Sequence, residues 1–238
     1  MKQPGEEHGG VAMKDGRAYF TGITATDLAG DVTTQTREAL ANVEARLSDA
    51  GMTRRQILVV HIWLSDMALF QAMTSVWNEW VDADDPPSRS CVSGQPAMPG
   101  ALLEVDVTAC VSNSDSDIQA IERYAIVKGP GRPTMCLGIA AGDWFTVCMI
   151  APDCSVGVAG QTQQLLGLFD DFLKQAGTDK SRLASAEIWL KNLDDTAIVE
   201  PIWQKWAAPA EASPSVRFVR ADMAQPAMLI EIRITASR

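Results

Sequence analysis

Two hydrophobic periods alternate along this chain, and together they divide it into elements. Between Thr33 and Ala50, Leu40, Val43 and Leu47 recur at helical spacing, which predicts an amphipathic helix closed by Gly51 at its C′ position. Ile57 to Leu64, ILVVHIWL, is apolar and β-branched almost throughout, the pattern of a strand covered on both faces. A second helix is expected over Met67 to Val81, carrying Phe70, Met73, Trp77 and Trp80. Ahead of these, Gly10–Met13 and Arg17–Gly22 flank Lys14-Asp15-Gly16, a hairpin signal, while polar Met1 to Gly10 reads as a mobile tail.

The stretch Pro86 to Glu104 joins the two periods. Pro86 and Pro87 restrict the backbone ahead of Arg89. After a turn at Gln95–Gly100 the pattern alternates strictly, with Leu103, Val105, Val107 and Ala109 on one face and Leu102, Glu104, Asp106 and Thr108 on the other. This reads as a hairpin that sets Arg89 and Glu104 on neighbouring strands.

The same order then starts again. Gln35-Thr36 returns as Gln161-Thr162, Ala50-Gly51 as Ala176-Gly177, Ile62-Trp63-Leu64 as Ile188-Trp189-Leu190, and Trp77 and Trp80 as Trp203 and Trp206, always 126 residues later. A constant offset through helix, strand and helix identifies a tandem repeat of one β-β-α-β-α-β-β unit. Polar Ser112–Asp117 is the expected linker, with domains at 1–112 and 118–238. Arg89 recurs as Arg217 and Glu104 as Glu231, at offsets of 128 and 127, the changes falling in turns.

Composition narrows the function. A formal net charge of -10 and the absence of a Lys/Arg run argue against nucleic acid as a partner. The five cysteines are scattered without paired spacing, so neither a disulfide framework nor a zinc site is indicated, and two histidines, His8 and His61, provide no relay or metal cluster. No signal peptide or membrane span is visible, and a cytoplasmic location is expected. Cys91 reads as a small buried hydrophobe, His61 as a strand or interface residue, and the repeated tryptophans as core packing.

As an ordered set, QTREALANVEARLSDAG, VVHIWLSDM, PPSRSCVSG and ALLEVDVTA, with QTQQLLGLFDDFLKQAG, SAEIWLKNL and IEIRITA in the second copy, resemble the RidA/YjgF family of imine and enamine deaminases. The resemblance implies an α+β fold, two tandem copies of a RidA-like, chorismate-mutase-like domain, with sites in clefts between adjacent units of a three-unit ring. It further implies that Arg89 binds a substrate carboxylate, that Glu104 activates water, and that Gly22 and Cys91 line the pocket, with Arg217 and Glu231 as a possible second site. No cofactor or metal is implied. The partners expected are a small carboxylate-bearing substrate and further copies of the chain, three chains being the simplest closed assembly, with no nucleic acid and no membrane.

The chain departs from the family pattern where a Gly-Pro-Tyr segment is usual, having Gly5-Glu6-Glu7-His8 in the first copy and Gly129-Pro130-Gly131-Arg132 in the second. Val147 and Cys148 stand at the positions of Thr21 and Gly22, and Val219 stands at that of Cys91. Unequal sites are therefore expected, the first copy being nearer the deaminase pattern. Hydrolytic deamination of small 2-imino or 2-enamino acids is the leading reading. Its alternatives are a catabolic deaminase of an aminomuconate-like acid and a non-catalytic carboxylate-binding or scaffold protein; RNA cleavage, attached to parts of the family, is disfavoured by the acidic charge.

Overall fold

A computed structural model describes residues 11–112, 114–208 and 213–238. The tail expected over 1–10, and with it His8 and the first copy's counterpart of the Gly-Pro-Tyr segment, lies outside the described residues.

In the first unit, β1 (Val11–Lys14) and β2 (Arg17–Ile23) form the expected hairpin, and Asp15 and Gly16 both take positive φ, at 49° and 70°. Helix α1 (Val32–Asp49) starts where Asp31 Oδ1 accepts from Thr34 N at 2.9 Å. It ends in a Schellman turn: Gly51 takes φ 72°, Gly51 N donates to Ser48 O, and Met52 N donates to Leu47 O at 2.7 Å while the Met52 side chain enters the core. Strand β3 (Ile57–Leu64), helix α2 (Phe70–Trp80), β4 (Ser88–Ser93) and β5 (Leu103–Cys110) complete the unit.

The second unit repeats this with β7 (Met135–Ala141), β8 (Trp144–Ile150), α4 (Val158–Gln175), β9 (Leu183–Leu190), α5 (Thr196–Ala207), β10 (Ser215–Arg220) and β11 (Ile230–Ser237). Between the units lie two elements not expected from the sequence. The polar linker runs into a short helix, α3 (Asp115–Gln119), and β6 (Glu122–Val127) follows it and pairs antiparallel with β7.

Both units share one continuous sheet, in the order β1-β2-β5-β3-β4-β7-β8-β11-β9-β10 with β6 beside β7. Within each unit the helices cover one face. The first core gathers Leu40, Val43, Leu47, Val60, Ile62 and Trp77, and the second gathers Leu165, Phe169, Ile188, Ile232 and Trp203.

The strand order corrects the expected hairpin. β4 and β5 are not paired; β3 lies between them, parallel to β4 and antiparallel to β5. The reason is that β3, apolar along nearly its whole length, gains most from a central place with strands on both edges.

The sheet crosses from one unit to the other at β4. Ser88 pairs parallel with Cys136 of β7, Cys136 N donates to Pro87 O at 3.1 Å, and beyond this bridge β4 runs against β8. Helix α2 fastens the same joint: Trp77 Nε1 donates to Thr134 O at 2.8 Å, and the Asn78 amide donates to Arg132 O and accepts from Thr134 N. At the far end of β4, Ser93 N donates to Asp222 O and Asp222 N donates to Ser93 Oγ.

Candidate active site at the joint between the units

Arg89 sits in β4 opposite Val60 of β3, on the face that α2 covers. Its guanidinium lies over the rings of Trp77 and Phe70, 5.1 and 5.5 Å from their centroids. One nitrogen, Nη2, donates to Thr74 Oγ1 at 3.2 Å and to Met73 Sδ at 3.4 Å, whereas Nε and Nη1 are buried without a hydrogen-bond acceptor among the described residues. Burial pulls the guanidinium below its ordinary pKa, an effect partly offset by the Cys91 thiol and the Glu231 carboxylate. A buried cation with no ion-pair partner among the described residues and two orphaned donor nitrogens is an incomplete arrangement.

The acid that feels Arg89 comes from the other unit. Glu231, at the start of β11, is buried and accepts from the Cys148 thiol of β8 at 3.3 Å. Burial pushes its pKa from 4.5 up to about 7, against the opposing pull of the Cys148 hydrogen bond and the charges of Arg233 and Arg89. Cys91, two residues beyond Arg89 on the same face, is also buried, and its thiol is pushed up to about 11 by burial; Cys148 is raised further still. At neutral pH both thiols are protonated, so they serve as small walls and weak donors rather than nucleophiles.

On the opposite face of the sheet a polar cluster ties the units together. His61 Nδ1 and Ser90 Oγ are 2.5 Å apart, the Arg233 guanidinium donates to the same Ser90 oxygen, and His61 stacks on Trp189 with ring centroids 5.0 Å apart and 11° between planes. His61 is thus an interface residue, kept neutral by burial and by the neighbouring Arg233 and Arg217 charges.

The residues singled out from the sequence are split by the fold. Glu104 faces away from the α2 side of the sheet, beside Trp63, with Oε2 accepting from Ala97 N at 2.8 Å. It is separated from Arg89 by β3 and lies on the other face, so the expectation that these two meet on adjacent strands is overturned by the strand order. Gly22 N donates to Asp106 Oδ1 at 2.9 Å, which places Gly22 at the β2–β5 end of the sheet with Glu104 rather than with Arg89. Arg217 is likewise separated from Glu231 by β9 and pairs instead with Glu187, which also holds Arg233 at 3.1 Å. The joint therefore unites Arg89 and Cys91 of the first unit with Cys148 and Glu231 of the second. Cys148 stands at the Gly22 position, and the signal for the pairing was the clefts between units that the resemblance implies.

The family model described as endoribonuclease L-PSP matches residues 8–111 and 151–238, most of the chain in two segments. The chain belongs to this family, the RidA/YjgF family. Among curated family members, a RutC family protein of Haemophilus ducreyi is 30% identical over 103 residues, covering 43% of this chain and 88% of its own. The 3-aminoacrylate deaminase RutC of Acinetobacter baylyi is 32% identical over 103 residues, or 41% of this chain and 81% of its own. Each of these relatives thus corresponds to one unit of the tandem. A crystal structure of a chorismatase covers 97% of this chain and 78% of its own at a TM-score of 0.71, with 12% identity, a likeness of fold that spans both units. Among the described residues no helix is long and apolar enough to cross a membrane, and no group of three or more His, Cys, Asp or Glu side chains is placed to hold a metal ion.

Proposed function

We propose that this chain hydrolyses small 2-imino or 2-enamino acids to keto acids and ammonia at the joint between its two units. The observation that carries the reading is Arg89, buried beside Glu231 with two guanidinium nitrogens lacking acceptors among the described residues. A substrate carboxylate supplies what those nitrogens lack, because a guanidinium binds a carboxylate through two parallel charge-assisted hydrogen bonds. The relative named 3-aminoacrylate deaminase supports the same class of chemistry.

With its carboxylate held by Arg89, the substrate presents C2 and its nitrogen to Glu231, which moves one proton in each of two steps. First Glu231 takes a proton from water as the water oxygen bonds to C2, and the C=N pair moves to nitrogen, which receives that proton; the product is a carbinolamine. Glu231 then takes the hydroxyl proton and passes it to the amine, the carbonyl forms, the C–N bond breaks and ammonia leaves. A shuttle of this kind needs both protonation states near the working pH, and a carboxyl pushed up to about 7 has both at neutrality. The apolar walls from Trp77, Cys91 and Cys148 keep the local dielectric low, which strengthens the Arg89–carboxylate contact.

The test is ammonia and keto-acid release from 2-iminopropionate and 2-iminobutyrate generated in situ, with spontaneous hydrolysis subtracted and an aminomuconate-like acid as a further substrate arm. Acceleration that disappears in Arg89→Ala is expected. No acceleration on any arm, with keto acids still bound, would replace catalysis by carboxylate binding alone.

A further inference from the structure

A row of polar side chains crosses the sheet on the face away from the two helix-covered cores, and the units fill it differently. In the first unit Asp106, His61 and Ser90 stand opposite one another on β5, β3 and β4. In the second Arg233, Glu187 and Arg217 stand opposite one another on β11, β9 and β10, so the register sets Arg217 at the position of Ser90 rather than of Arg89. The first unit's row holds its own carboxylate: Asp106 accepts from the Trp63 indole at 3.3 Å and from Gly22 N at 2.9 Å. In the second unit Trp189 and Arg233 occupy the positions of Trp63 and Asp106. A guanidinium, 5.3 Å from the Trp189 ring centroid, thus stands where the first indole has its acceptor.

Where the two rows meet, three buried N–H groups end without an acceptor among the described residues. Arg233 donates through Nη2 to Ser90 Oγ and through Nη1 to Glu187, which leaves its Nε unpartnered. Because the Ser90 oxygen receives that guanidinium proton, its own hydroxyl proton goes to His61 Nδ1, 2.5 Å away. His61 is neutral, so its ring proton then sits on Nε2, the second orphaned donor. Trp189 Nε1 is the third, on a ring stacked 5.0 Å from His61. A further donor cannot complete a cluster of N–H groups, whereas an oxyanion can, through hydrogen bonds stronger than neutral ones. The row also opens to solvent at its β10 end: side-chain exposure rises from 12% at Arg233 through 29% at Glu187 to 61% at Arg217.

We propose that this niche binds a small monocarboxylate, of formate or acetate size, whose oxygens accept from Trp189 Nε1, His61 Nε2 and Arg233 Nε. The class of ligand follows from the first unit, where a carboxylate serves the equivalent indole. Its size follows from burial, since the donors lie among stacked rings with room for only a few atoms once the Arg233 and Arg217 side chains shift toward solvent. Arg89 lies on the helix-covered face of the sheet, so the niche is separate from the proposed active site and does not rest on the deaminase reading.

The experiment follows the indole N–H signals of the seven tryptophans in the full chain by proton–nitrogen NMR while sodium formate is added, with sodium chloride at equal ionic strength as the control. The Trp189 signal, identified by its absence from Trp189→Phe, is expected to move downfield and saturate with formate but not with chloride, in wild type and in Arg89→Met alike. Calorimetric titration should show formate bound about tenfold or more weakly by Trp189→Phe, which keeps the ring stack and loses one hydrogen bond to a charged group. Seven unmoved signals in wild type overturn the proposal whatever the variants do. A chloride response equal to that of formate overturns it as a salt effect only, and a response lost in Arg89→Met assigns the carboxylate to the other site. Formate bound as tightly by Trp189→Phe as by wild type overturns it too. The readout is binding on the far face of the sheet, so failure here leaves the deaminase reading to its own assay.

Discussion

Replacing Arg89 by methionine separates a residue kept for a ligand from one kept for the fold. Methionine retains an unbranched stem of similar length among Met73, Thr74 and Trp77 while removing the charge. In the free protein the guanidinium leaves Nε and Nη1 buried and unpaired among the described residues, each costing about 1–3 kcal/mol. Against this stand the ring contacts with Trp77 and Phe70, about 0.5–2 kcal/mol each, and the bond to Thr74, about 1 kcal/mol. The terms nearly cancel, so Arg89→Met is expected to change the unliganded protein's stability by less than about 2 kcal/mol, in either direction. Breaking a buried ion pair would instead cost about 3–5 kcal/mol. The ligand response should change completely: wild type is expected to gain roughly 2.7 kcal/mol with pyruvate or 2-oxobutyrate at a hundred times its dissociation constant, and the variant nothing. Urea unfolding with and without keto acid reads both quantities. A loss above about 3 kcal/mol without ligand, or a ligand-induced gain that survives the substitution, would refute the assignment of Arg89 to an anionic ligand.

Other perturbations probe the partners of that site. Folded Glu231 holds its proton up to about pH 7, whereas the unfolded chain releases it near the ordinary value of 4.5, so this group lowers stability as pH rises from 4.5 to 7. Glu231→Gln should therefore match wild type at pH 4 and exceed it by up to about 3 kcal/mol at pH 8; an unchanged pH slope in paired unfolding curves would contradict the raised pKa. Gln35 is buried, its amide donating to Leu28 O and Gly30 O and accepting from Leu102 N at 2.8 Å, which clamps the segment before β5 to α1. Gln35→Leu strands those groups and should cost about 2–4 kcal/mol in urea, and a cost below about 1 kcal/mol would show that the clamp contributes little. A Cβ added at Gly94 would overlap the Trp63 ring, so Gly94→Ala should cost about 1–3 kcal/mol and alter tryptophan fluorescence, while unchanged spectra and stability would show that the ring can move aside.

The parts of this structure visible in the sequence are those governed by local rules. The Asp-Gly turn, the Gly51 end of α1 and the limits of β3 follow from residue conformations and periodicity, and the repeat follows from spacing alone. Gln161 shows why Gln35-Thr36 recurs: it bonds Cys154 O, Val156 O, Ala227 O and Leu229 N, the second unit's version of the same clamp. Strand neighbours were not legible, because a two-residue period assigns Glu104 to a face without naming the strand beside it. Arg89 and Glu104, close in sequence, therefore read as one hairpin, although β3 divides them. The meeting of Arg89 with Glu231 depends on how one unit seats against the other, through Trp77, Asn78 and Ser88, and no local pattern encodes it. Short β6 and α3, mixed in polarity and a few residues long, carry too little periodicity to be recognised.

The most direct trial of a site shared between the units is imine hydrolysis by three single variants beside wild type: Arg89→Ala, Glu231→Gln and Glu104→Gln. Ammonia release from in situ 2-iminopropionate should fall to the spontaneous rate in the first two and persist in Glu104→Gln. The reverse pattern, with Glu104→Gln inactive and Glu231→Gln as active as wild type, would move the chemistry out of the joint and contradict the pairing of Arg89 with Glu231.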